Sequence, residues 1–309
     1  MIDKKPSVIV LMSTYNGEQY IKEQIESIFN QKGNFNISLL IRDDGSSDNT
    51  VMLLDEIMKN ELRIKLIKGR NVGVDDSFFK LVEMAPTSDY YAISDQDDIW
   101  LPDKIESAIN IFEKNKKLLL YGSWSTCVDS DMKEIGKNVI LTKPITLYNT
   151  MIQNMAGGHT QVFNHDFLEL IKKNYVRGKV HFYDAFFVNM AMIYDGFYFD
   201  NNSHVKYRIH QNNVMGTGVS FGDWIKRNIK RVKSGQSQLY SAQFDFIAEQ
   251  FNSILDKEIR NEIKLLQKSR NSFMKRLIYL KKMKFYRQSS KETYIFKMLY
   301  LFGGWNSKI

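Results

Sequence analysis

Residues 93–102 read Ile93-Ser94-Asp95-Gln96-Asp97-Asp98-Ile99-Trp100-Leu101-Pro102. The apolar residues 90–93 predict a buried strand, and apolar residues at helical spacing after Pro102 predict an amphipathic helix. Three carboxylates within four residues repel one another at pH 7 unless a cation neutralises them. Because hard oxygen ligands suit Mg2+ or Mn2+, the stretch predicts a metal site at the end of a strand. The alternative is a solvated acidic turn beside a helix N-terminus.

The N-terminal part of the chain repeats the order strand, polar loop and helix. The continuous apolar run at residues 7–13 predicts a parallel central strand, and further strands are predicted at 38–41, 64–67 and 90–94. This repeat predicts an open α/β sheet, in which ligands bind outside the carboxyl ends of the strands. The first loop has no Gly-x-Gly-x-x-Gly pattern, and the chain has no P-loop pattern. The usual dinucleotide fold and the P-loop NTPases are therefore disfavoured.

The regular repeat stops after Lys117. Another strand is predicted from residue 118 toward 128, a glycine-containing loop with a short strand at 154–164, and a short strand at 207–209. Helices are predicted at 166–173 and 181–193, and from Trp224 to the end. We therefore expect a catalytic domain at 1–220 and a basic, amphipathic helical extension at 221–309.

The charge is distributed unevenly over a chain with a net charge of +8. Residues 1–220 hold 24 Lys or Arg and 28 Asp or Glu, whereas residues 221–309 hold 19 and 7. Residues 264–309 interleave basic with aromatic and aliphatic residues, as interfacial helices on anionic membranes do. The alternative is a set of packed helices with a solvated basic face. No recognition motif accompanies the charge, so a nucleic-acid partner is not expected.

The cysteine content and the lack of long apolar runs favour a cytoplasmic location. The single cysteine, Cys127, makes an intrachain disulfide framework impossible and fits a cytosolic protein. We recognise no signal peptide, and no apolar run approaches the roughly 20 residues of a membrane helix.

Four motifs in this order resemble the inverting glycosyltransferases of family 2, which have the GT-A fold. Within that family the chain looks most like bacterial rhamnosyltransferases of cell-wall and capsular polysaccharide synthesis. The motifs span the chain up to about residue 215 and lie at residues 13–18, 42–48, 94–102 and 207–213. The resemblance implies a Rossmann-like α/β fold with a mixed, mostly parallel sheet and a helical C-terminal extension.

The resemblance assigns residues to the nucleotide sugar. The residues expected to bind the nucleotide and its diphosphate are Ser13, Tyr15, Asp43, Asp44, Arg70, Asn71 and Asp95. The ring of Tyr15 would pack against the base. Asp43 would accept its imide N–H, although a turn in which Asp43 and Asp44 bond their own backbone is the alternative. For Arg70 the alternative is an ordinary surface turn.

The resemblance also assigns the metal site and the donor-sugar loop. Asp97 and Asp95 match the family's Asp-x-Asp motif for Mg2+ or Mn2+, and His210 would complete the coordination or touch a phosphate. Gly157, Gly158 and His159 match the loop under the donor sugar and near the acceptor.

The general base is expected at Asp184. Inverting transfer needs one base to deprotonate the acceptor hydroxyl opposite the leaving group. The family pattern His-Asp-Trp is altered here, with Tyr183 before the aspartate and the aromatic shifted to Phe186. The alternative is a carboxylate that only stabilises a helix N-terminus.

The expected reaction is transfer of L-rhamnose from dTDP-rhamnose to a lipid-linked glycan at the cytoplasmic face of the membrane. The same fold with a UDP-hexose or UDP-N-acetylhexosamine donor is the first alternative. A non-catalytic partner that binds a sugar nucleotide or tethers enzymes to the membrane is the second. A homo-oligomer is compatible with each of these three functions.

Overall fold

The computed structural model describes residues 4–137, 141–209 and 235–305. The chain forms two compact units. The first comprises Met1–Val139, Ala156–Tyr175 and Asp195–Thr217, and the second comprises Ile140–Met155, Val176–Tyr194 and Gly218–Ile309. This division differs from the boundary expected at residue 220, because two segments from the middle of the chain pack with the C-terminal helices. The functional boundary at residue 220 stays a prediction.

The first unit is built on one mixed sheet. Its strands are β1 Ser7–Thr14, β2 Asn36–Asp43, β3 Ile64–Lys68, β4 Tyr90–Ser94, β5 Ile99–Trp100, β6 Leu120–Val128, β7 Glu134–Lys137, β8 Val162–Asn164 and β9 Phe197–Arg208. They lie in the order β3-β2-β1-β4-β8-β6-β9-β5, with β7 beside β6. The pairs among β1 to β4 and the β6–β9 pair are parallel, and the others are antiparallel. The predicted α/β class with a mixed, mostly parallel sheet is confirmed.

Helices cover the sheet and form most of the second unit. The first unit holds α1 Ile21–Phe29, α2 Thr50–Met58, α3 Val74–Met84, α4 Lys104–Lys114 and α6 His165–Asn174. The second holds α5 Leu147–Thr150, α7 Tyr183–Ile193, α8 Gln236–Gln250, α9 Lys257–Ser269, α10 Phe273–Leu280 and α11 Ser290–Leu301. Within the described ranges, every helix is too short or too polar to cross a bilayer.

The register of the parallel strands brings their following loops to one edge of the sheet. The apolar run of β1 is buried along its length, which makes it a central strand. Thr14 at its end pairs with Asp43 of β2, and Met12 pairs with Ser94 of β4. The loops after β1, β2 and β4 therefore begin side by side, as the sequence predicts.

The C-terminal helices of the second unit enclose an aromatic core of their own. Its buried side chains are Phe244, Phe285, Phe296, Tyr300 and Trp305. The rings of Phe244 and Phe296 both meet Trp305 edge to face, with centroids 5.1 and 5.2 Å away. The predicted helical C-terminal extension is confirmed, and part of its aromatic content is core.

Candidate active site

The loop after β1 is tied to the acidic loop after β4 by Gln96. The Gln96 side chain accepts from the Tyr15 backbone N–H at 2.9 Å and donates to the Tyr15 carbonyl at 3.1 Å. A Cβ at Gly17 would lie 2.3 Å from Gln96 Oε1, so the glycine makes this close approach possible. The backbone of Tyr15 is held while its side chain remains 48% exposed, which leaves the ring available to a ligand.

Asp43 is built into the turn that follows β2. The buried carboxylate accepts from the Gly45 and Ser46 backbone N–H groups, both at 3.0 Å. The Thr14 and Ser46 hydroxyls donate to its other oxygen. This geometry is the one described by the turn alternative. The direct contact of Asp43 with a base stays a prediction.

Asp44 stabilises the start of α3. Its Oδ1 accepts from the Val72 backbone N–H and its Oδ2 from the Gly73 backbone N–H, both at 2.9 Å. It also pairs with the Arg42 guanidinium at 2.5 Å, and both side chains are buried. Arg42 donates onward to Ser77 Oγ at 2.8 Å. Asp44 thus lies within a buried network that links the loop after β2 to α3.

Arg42 and Ser77 were not singled out from sequence, although both touch predicted site residues. Ser77 Oγ lies 2.6 Å from Ser13 Oγ, so the predicted nucleotide ligand Ser13 is held against α3. The available signal is an arginine directly after a short apolar strand, since a buried arginine requires a partner. Arg70 and Asn71 lie exposed on the loop after β3, in keeping with either a diphosphate contact or a surface turn.

A cluster of ligand-type side chains lies at the end of β4. Oxygen or nitrogen atoms of Asp95, Asp98 and His159 all lie within 4.8 Å of one another. Asp98 is 1% exposed, and its Oδ2 has no hydrogen-bond partner in the described part of the chain. An orphaned buried carboxylate oxygen beside a second carboxylate and an imidazole suits a divalent cation, so these residues fit Mg2+ or Mn2+.

This cluster differs in membership from the predicted set of Asp95, Asp97 and His210. Asp98 and His159 join Asp95, whereas Asp97, which lies between the two aspartates in the same loop, is not one of these three residues. His210 lies outside the described residues. The sequence predicts His159 at the donor sugar. It lies 64 residues after Asp95 in the chain, so only the fold shows that the two side chains are close.

The electrostatics of the cluster favour a bound cation. Burial, together with the charges of Asp97 and Asp95, holds the pKa of Asp98 well above its usual range. Burial and the nearby Lys104 lower the pKa of His159 to about 3. The imidazole is therefore neutral at pH 7, which is the form that binds metals. The carboxylates lie close together, and a divalent cation would relieve their mutual repulsion.

Two buried side chains, Lys104 and Arg208, hold the two segments that form the cluster. Lys104 Nζ donates to the His159 carbonyl at 2.8 Å and lies 3.2 Å from the Trp100 ring centroid. The Arg208 backbone N–H donates to Asp98 Oδ1, and its side-chain Nε donates to the Asp97 carbonyl, both at 3.1 Å. Lys104 thus holds the turn with His159, and Arg208 holds the acidic loop. Lys104 was not identified from sequence.

The loop with Gly157, Gly158 and His159 forms a tight turn. Gly158 begins a 3-10 turn that ends at Thr160. A Cβ on Gly157 would lie 2.7 Å from His159 Cε1, so the glycine allows the imidazole to fold back on the turn. The ring stacks on Tyr207 at 4.6 Å between centroids, and His159 Nε2 lies 2.9 Å from Ser125 Oγ. His159 is thus fixed in orientation.

Asp184 belongs to the second unit and lies in the first turn of α7. The Asn154 side-chain amide donates to Asp184 Oδ2 at 2.6 Å, and the Ala185 N–H donates to Oδ1 at 2.8 Å. The carboxylate is half-buried. A carboxylate at this position is stabilised by the helix N-terminus, and its role as a general base stays a prediction.

Curated relatives of the chain are sugar transferases. The chain is 28% identical over 302 residues to the dTDP-rhamnosyl transferase RfbG of Shigella flexneri, covering 94% of this chain and 99% of RfbG. It is 32% identical over 155 residues to the UDP-Glc:alpha-D-GlcNAc-diphosphoundecaprenol beta-1,3-glucosyltransferase WfgD of Escherichia coli, covering 49% of this chain and 57% of WfgD.

Two solved structures that contain a bound nucleotide share the architecture of this chain. S. aureus TarS in complex with UDP superimposes with a TM-score of 0.58 at 16% identity, covering 85% of this chain and 71% of that one. The mannosyltransferase PcManGT of Pyrobaculum calidifontis, in complex with GDP-Man and Mn2+, gives 0.55 at 14%, covering 98% and 86%. At such identities the likeness shows the fold, which confirms the predicted GT-A architecture.

The profile of one family spans more than half of the chain. It is described as glycosyl transferase family 2 and matches residues 9–177. The match contains the loops after β1 to β4, the acidic cluster and the turn with His159. The predicted enzyme class is confirmed, and this chain belongs to glycosyl transferase family 2.

Proposed function

We propose that the protein transfers L-rhamnose from dTDP-rhamnose, with inversion at the anomeric carbon, to a lipid-linked glycan in polysaccharide synthesis. The observation that carries the choice of donor is the similarity to a dTDP-rhamnosyl transferase over 94% of this chain. A UDP-hexose or UDP-N-acetylhexosamine donor is the second candidate. It is favoured by the name of WfgD, a relative that matches a shorter part of this chain. Family membership removes the reason to favour a non-catalytic partner.

The proposed nucleotide site is the edge formed by the loops after β1, β2 and β3. The exposed ring of Tyr15 stacks on the base. Arg70 and Asn71, both exposed, contact the diphosphate. Ser13, Asp43 and Asp44 are assigned to the same site. Their hydrogen bonds within the protein indicate that they shape the loops that form this site.

The proposed cation is Mg2+ or Mn2+, held by Asp95, Asp98 and His159. Asp97 and His210 remain predicted as further ligands, His210 lying outside the described residues. When bound, the cation supplies positive charge against the diphosphate leaving group. The carboxylates and the imidazole would bind and orient it, while Lys104 holds the turn with His159 and Arg208 holds the acidic loop.

Asp184 is the proposed general base. Its carboxylate takes the proton of the acceptor hydroxyl as that oxygen forms a bond to the anomeric carbon. The bond from the anomeric carbon to the diphosphate oxygen breaks on the opposite face, so that the nucleoside diphosphate leaves with the bonding electrons. The hydrogen bond from Asn154 at 2.6 Å holds one carboxylate oxygen in place.

The proposed place of action is the cytoplasmic face of the cell membrane. The acceptor in the name of the relative WfgD is carried on diphosphoundecaprenol, and a lipid-linked acceptor confines the reaction to a membrane surface. The basic residues of 264–309 would hold the enzyme there as a peripheral protein. Self-association is compatible with this arrangement.

Thermal shift with dTDP, UDP, GDP and CDP, each with and without Mn2+, tests the donor and the metal together. A ligand that binds the folded state raises the melting temperature. We expect the largest shift with dTDP plus Mn2+. A shift with UDP alone would replace rhamnose by a UDP-linked sugar, and no shift with any nucleotide would contradict the proposed function.

The base is tested by Asp184→Asn, with Asp166→Asn as the matched control. Asp166 also lies in the first turn of a helix, α6, and is exposed. We expect Asp184→Asn to reduce dTDP release from dTDP-rhamnose, in the presence of a membrane lipid extract, by at least about a hundredfold. The dTDP-induced thermal shift should persist in both variants. Wild-type turnover in Asp184→Asn would refute the assignment.

A further inference from the structure

Helix α10 exposes a continuous apolar face. Phe273, Met274, Leu277 and Ile278 are all exposed, from 37% for Leu277 to 59% for Met274. Their spacing of i, i+1, i+4 and i+5 places them on one side of the helix. Large apolar side chains gathered on one exposed face mark an interaction surface more often than scattered ones do.

The opposite face of α10 anchors the helix to the second unit. Tyr279 is buried, and its hydroxyl donates to the buried Glu262 carboxylate at 2.6 Å. Arg276 donates through Nε to the Leu301 carbonyl at 2.8 Å. Because these contacts fix the orientation of α10, its apolar face is presented as part of the folded unit.

The apolar face continues onto the end of α11. Phe302 follows α11 directly and is exposed. Its ring centroid lies 6.2 Å from that of Phe273. We call the side chains of Phe273, Met274, Leu277, Ile278 and Phe302 the α10 face.

The surroundings of the α10 face carry positive charge. Residues 264–291 contain ten Lys or Arg and no Asp or Glu. Some of these cations are used internally, since Arg270 pairs with Asp245 at 2.5 Å and Lys284 pairs with Glu258 at 3.3 Å. Exposed lysines remain on α10 and just after it, namely Lys275, Lys281 and Lys282. The partner that fits the α10 face must be both apolar and anionic.

We propose that the α10 face, with Lys275, Lys281 and Lys282, docks on the surface of a bilayer that contains anionic lipid. The apolar side chains enter the boundary between headgroups and acyl chains, and the lysines reach the anionic headgroups. A bilayer supplies both chemistries over a surface as wide as the helix. This docking surface deepens the proposed membrane location, but its test does not depend on the transfer activity.

Vesicle co-sedimentation of the full chain tests the surface. The vesicles are phosphatidylcholine alone, or phosphatidylcholine with one quarter phosphatidylglycerol. One variant carries Leu277→Gln and Ile278→Gln, and a second carries Lys275→Gln, Lys281→Gln and Lys282→Gln. The matched controls are Met52→Gln with Leu62→Gln, and Lys65→Gln, Lys114→Gln and Lys116→Gln, all at exposed positions of the first unit.

We expect wild type and both controls to bind the anionic vesicles and to bind phosphatidylcholine weakly. Each lysine near an anionic surface contributes a factor of about five, so the triple lysine variant should lose about a hundredfold. The apolar variant should lose at least about tenfold. Melting temperatures within a few degrees of wild type would show that each variant folds.

Wild-type vesicle binding by the apolar variant would overturn the proposal. So would equal losses in the control variants, or a preference of the wild type for a single-stranded RNA oligonucleotide over anionic vesicles. The dTDP-induced thermal shift serves as the independent readout of the nucleotide site. If vesicle binding fails while that shift persists, the docking surface is wrong and the proposed transferase function stands.

Discussion

The buried pair of Arg42 and Asp44 should make a large contribution to stability. Asp44→Ala removes the salt bridge of 2.5 Å and the acceptor for two N–H groups at the start of α3. Arg42 would then be left as a buried charge without its carboxylate. Breaking a buried pair from one side costs about 3–5 kcal/mol, a large part of the 5–15 kcal/mol typical of a folded domain.

Urea unfolding followed by tryptophan fluorescence measures this cost. The matched control is Asp55→Ala, because Asp55 also forms a salt bridge, with Lys68 at 2.8 Å, but with both side chains about half exposed. The control should cost less than about 1 kcal/mol. If Asp44→Ala lowered the free energy of unfolding no more than Asp55→Ala, the structural role assigned to the buried pair would be wrong.

A double variant separates the missing bond from the stranded charge. Replacing both partners, as Arg42→Met with Asp44→Leu, leaves no unpaired charge and should cost less than Asp44→Ala alone. Equal costs would show that the lost contacts at α3 dominate. A larger cost for the double variant would contradict the reasoning, because removing the stranded guanidinium would then have brought no relief.

Three further perturbations test other parts of the first unit. Burial alone would lower the pKa of His204, but its hydrogen bond to Asp200 and its ion pair with Asp103 outweigh burial and raise that pKa. The resulting stability is complete below pH 6.5 and is lost as the pH rises through the raised pKa. The melting temperature of wild type should therefore fall more steeply above pH 6.5 than that of His204→Gln. Tyr15→Ala should weaken dTDP binding about tenfold, measured by calorimetry, while Tyr15→Phe should bind dTDP normally, because the ring provides the stacking surface. If Tyr15→Ala bound dTDP as tightly as wild type, stacking would be excluded. Gly45 has φ +83°, and an added Cβ would lie 2.9 Å from the Asn71 backbone nitrogen in the loop after β3. Gly45→Ala should therefore lower the free energy of unfolding, measured in urea, by about 1–3 kcal/mol. An unchanged free energy would contradict the close approach.

The parallel half of the sheet was predictable from sequence because its signal is local. Strands predicted at 7–13, 38–41, 64–67 and 90–94 are observed at Ser7–Thr14, Asn36–Asp43, Ile64–Lys68 and Tyr90–Ser94. β1 and β4 are nearly continuous apolar runs, as strands covered on both faces must be, whereas the edge strand β3 contains Lys65 and Lys68. The polar loops that follow them were therefore placed correctly at one edge.

The antiparallel half was less predictable because long-range pairing determines it. Only 207–209 was predicted as a strand near the end of the first unit, whereas β9 extends over Phe197–Arg208. Its polar central residues carry little apolar signal, and pairing with β6 on one side and β5 on the other stabilises the strand. The same pairing brings Arg208 to the acidic loop, a contact that the local sequence cannot reveal.

At the candidate site the sequence predicts which residue types are present, and the structure adds which of them lie together. The motif identified Asp95 and its neighbours as ligand-type carboxylates, but it could not show that Asp98 is buried with a free oxygen in the described part of the chain. Nor could it place His159 beside them, because β8 brings that residue to β4 only in the folded sheet. Spacing along the chain shows which groups are available, and packing decides which of them meet.

The network at this edge separates side chains that build the site from side chains that remain available to a ligand. Asp43 and Asp44 are fully engaged by backbone N–H groups, hydroxyls or Arg42, so a ligand could reach them only by competing with bonds already made. Tyr15 and Arg70 have exposed side chains on loops whose backbones are held by Gln96 and Arg42. A held backbone with a free side chain lowers the entropy lost on binding. The network therefore preorganises the proposed nucleotide site. Substitutions in the network should alter stability first, while substitutions of the exposed side chains should alter affinity alone.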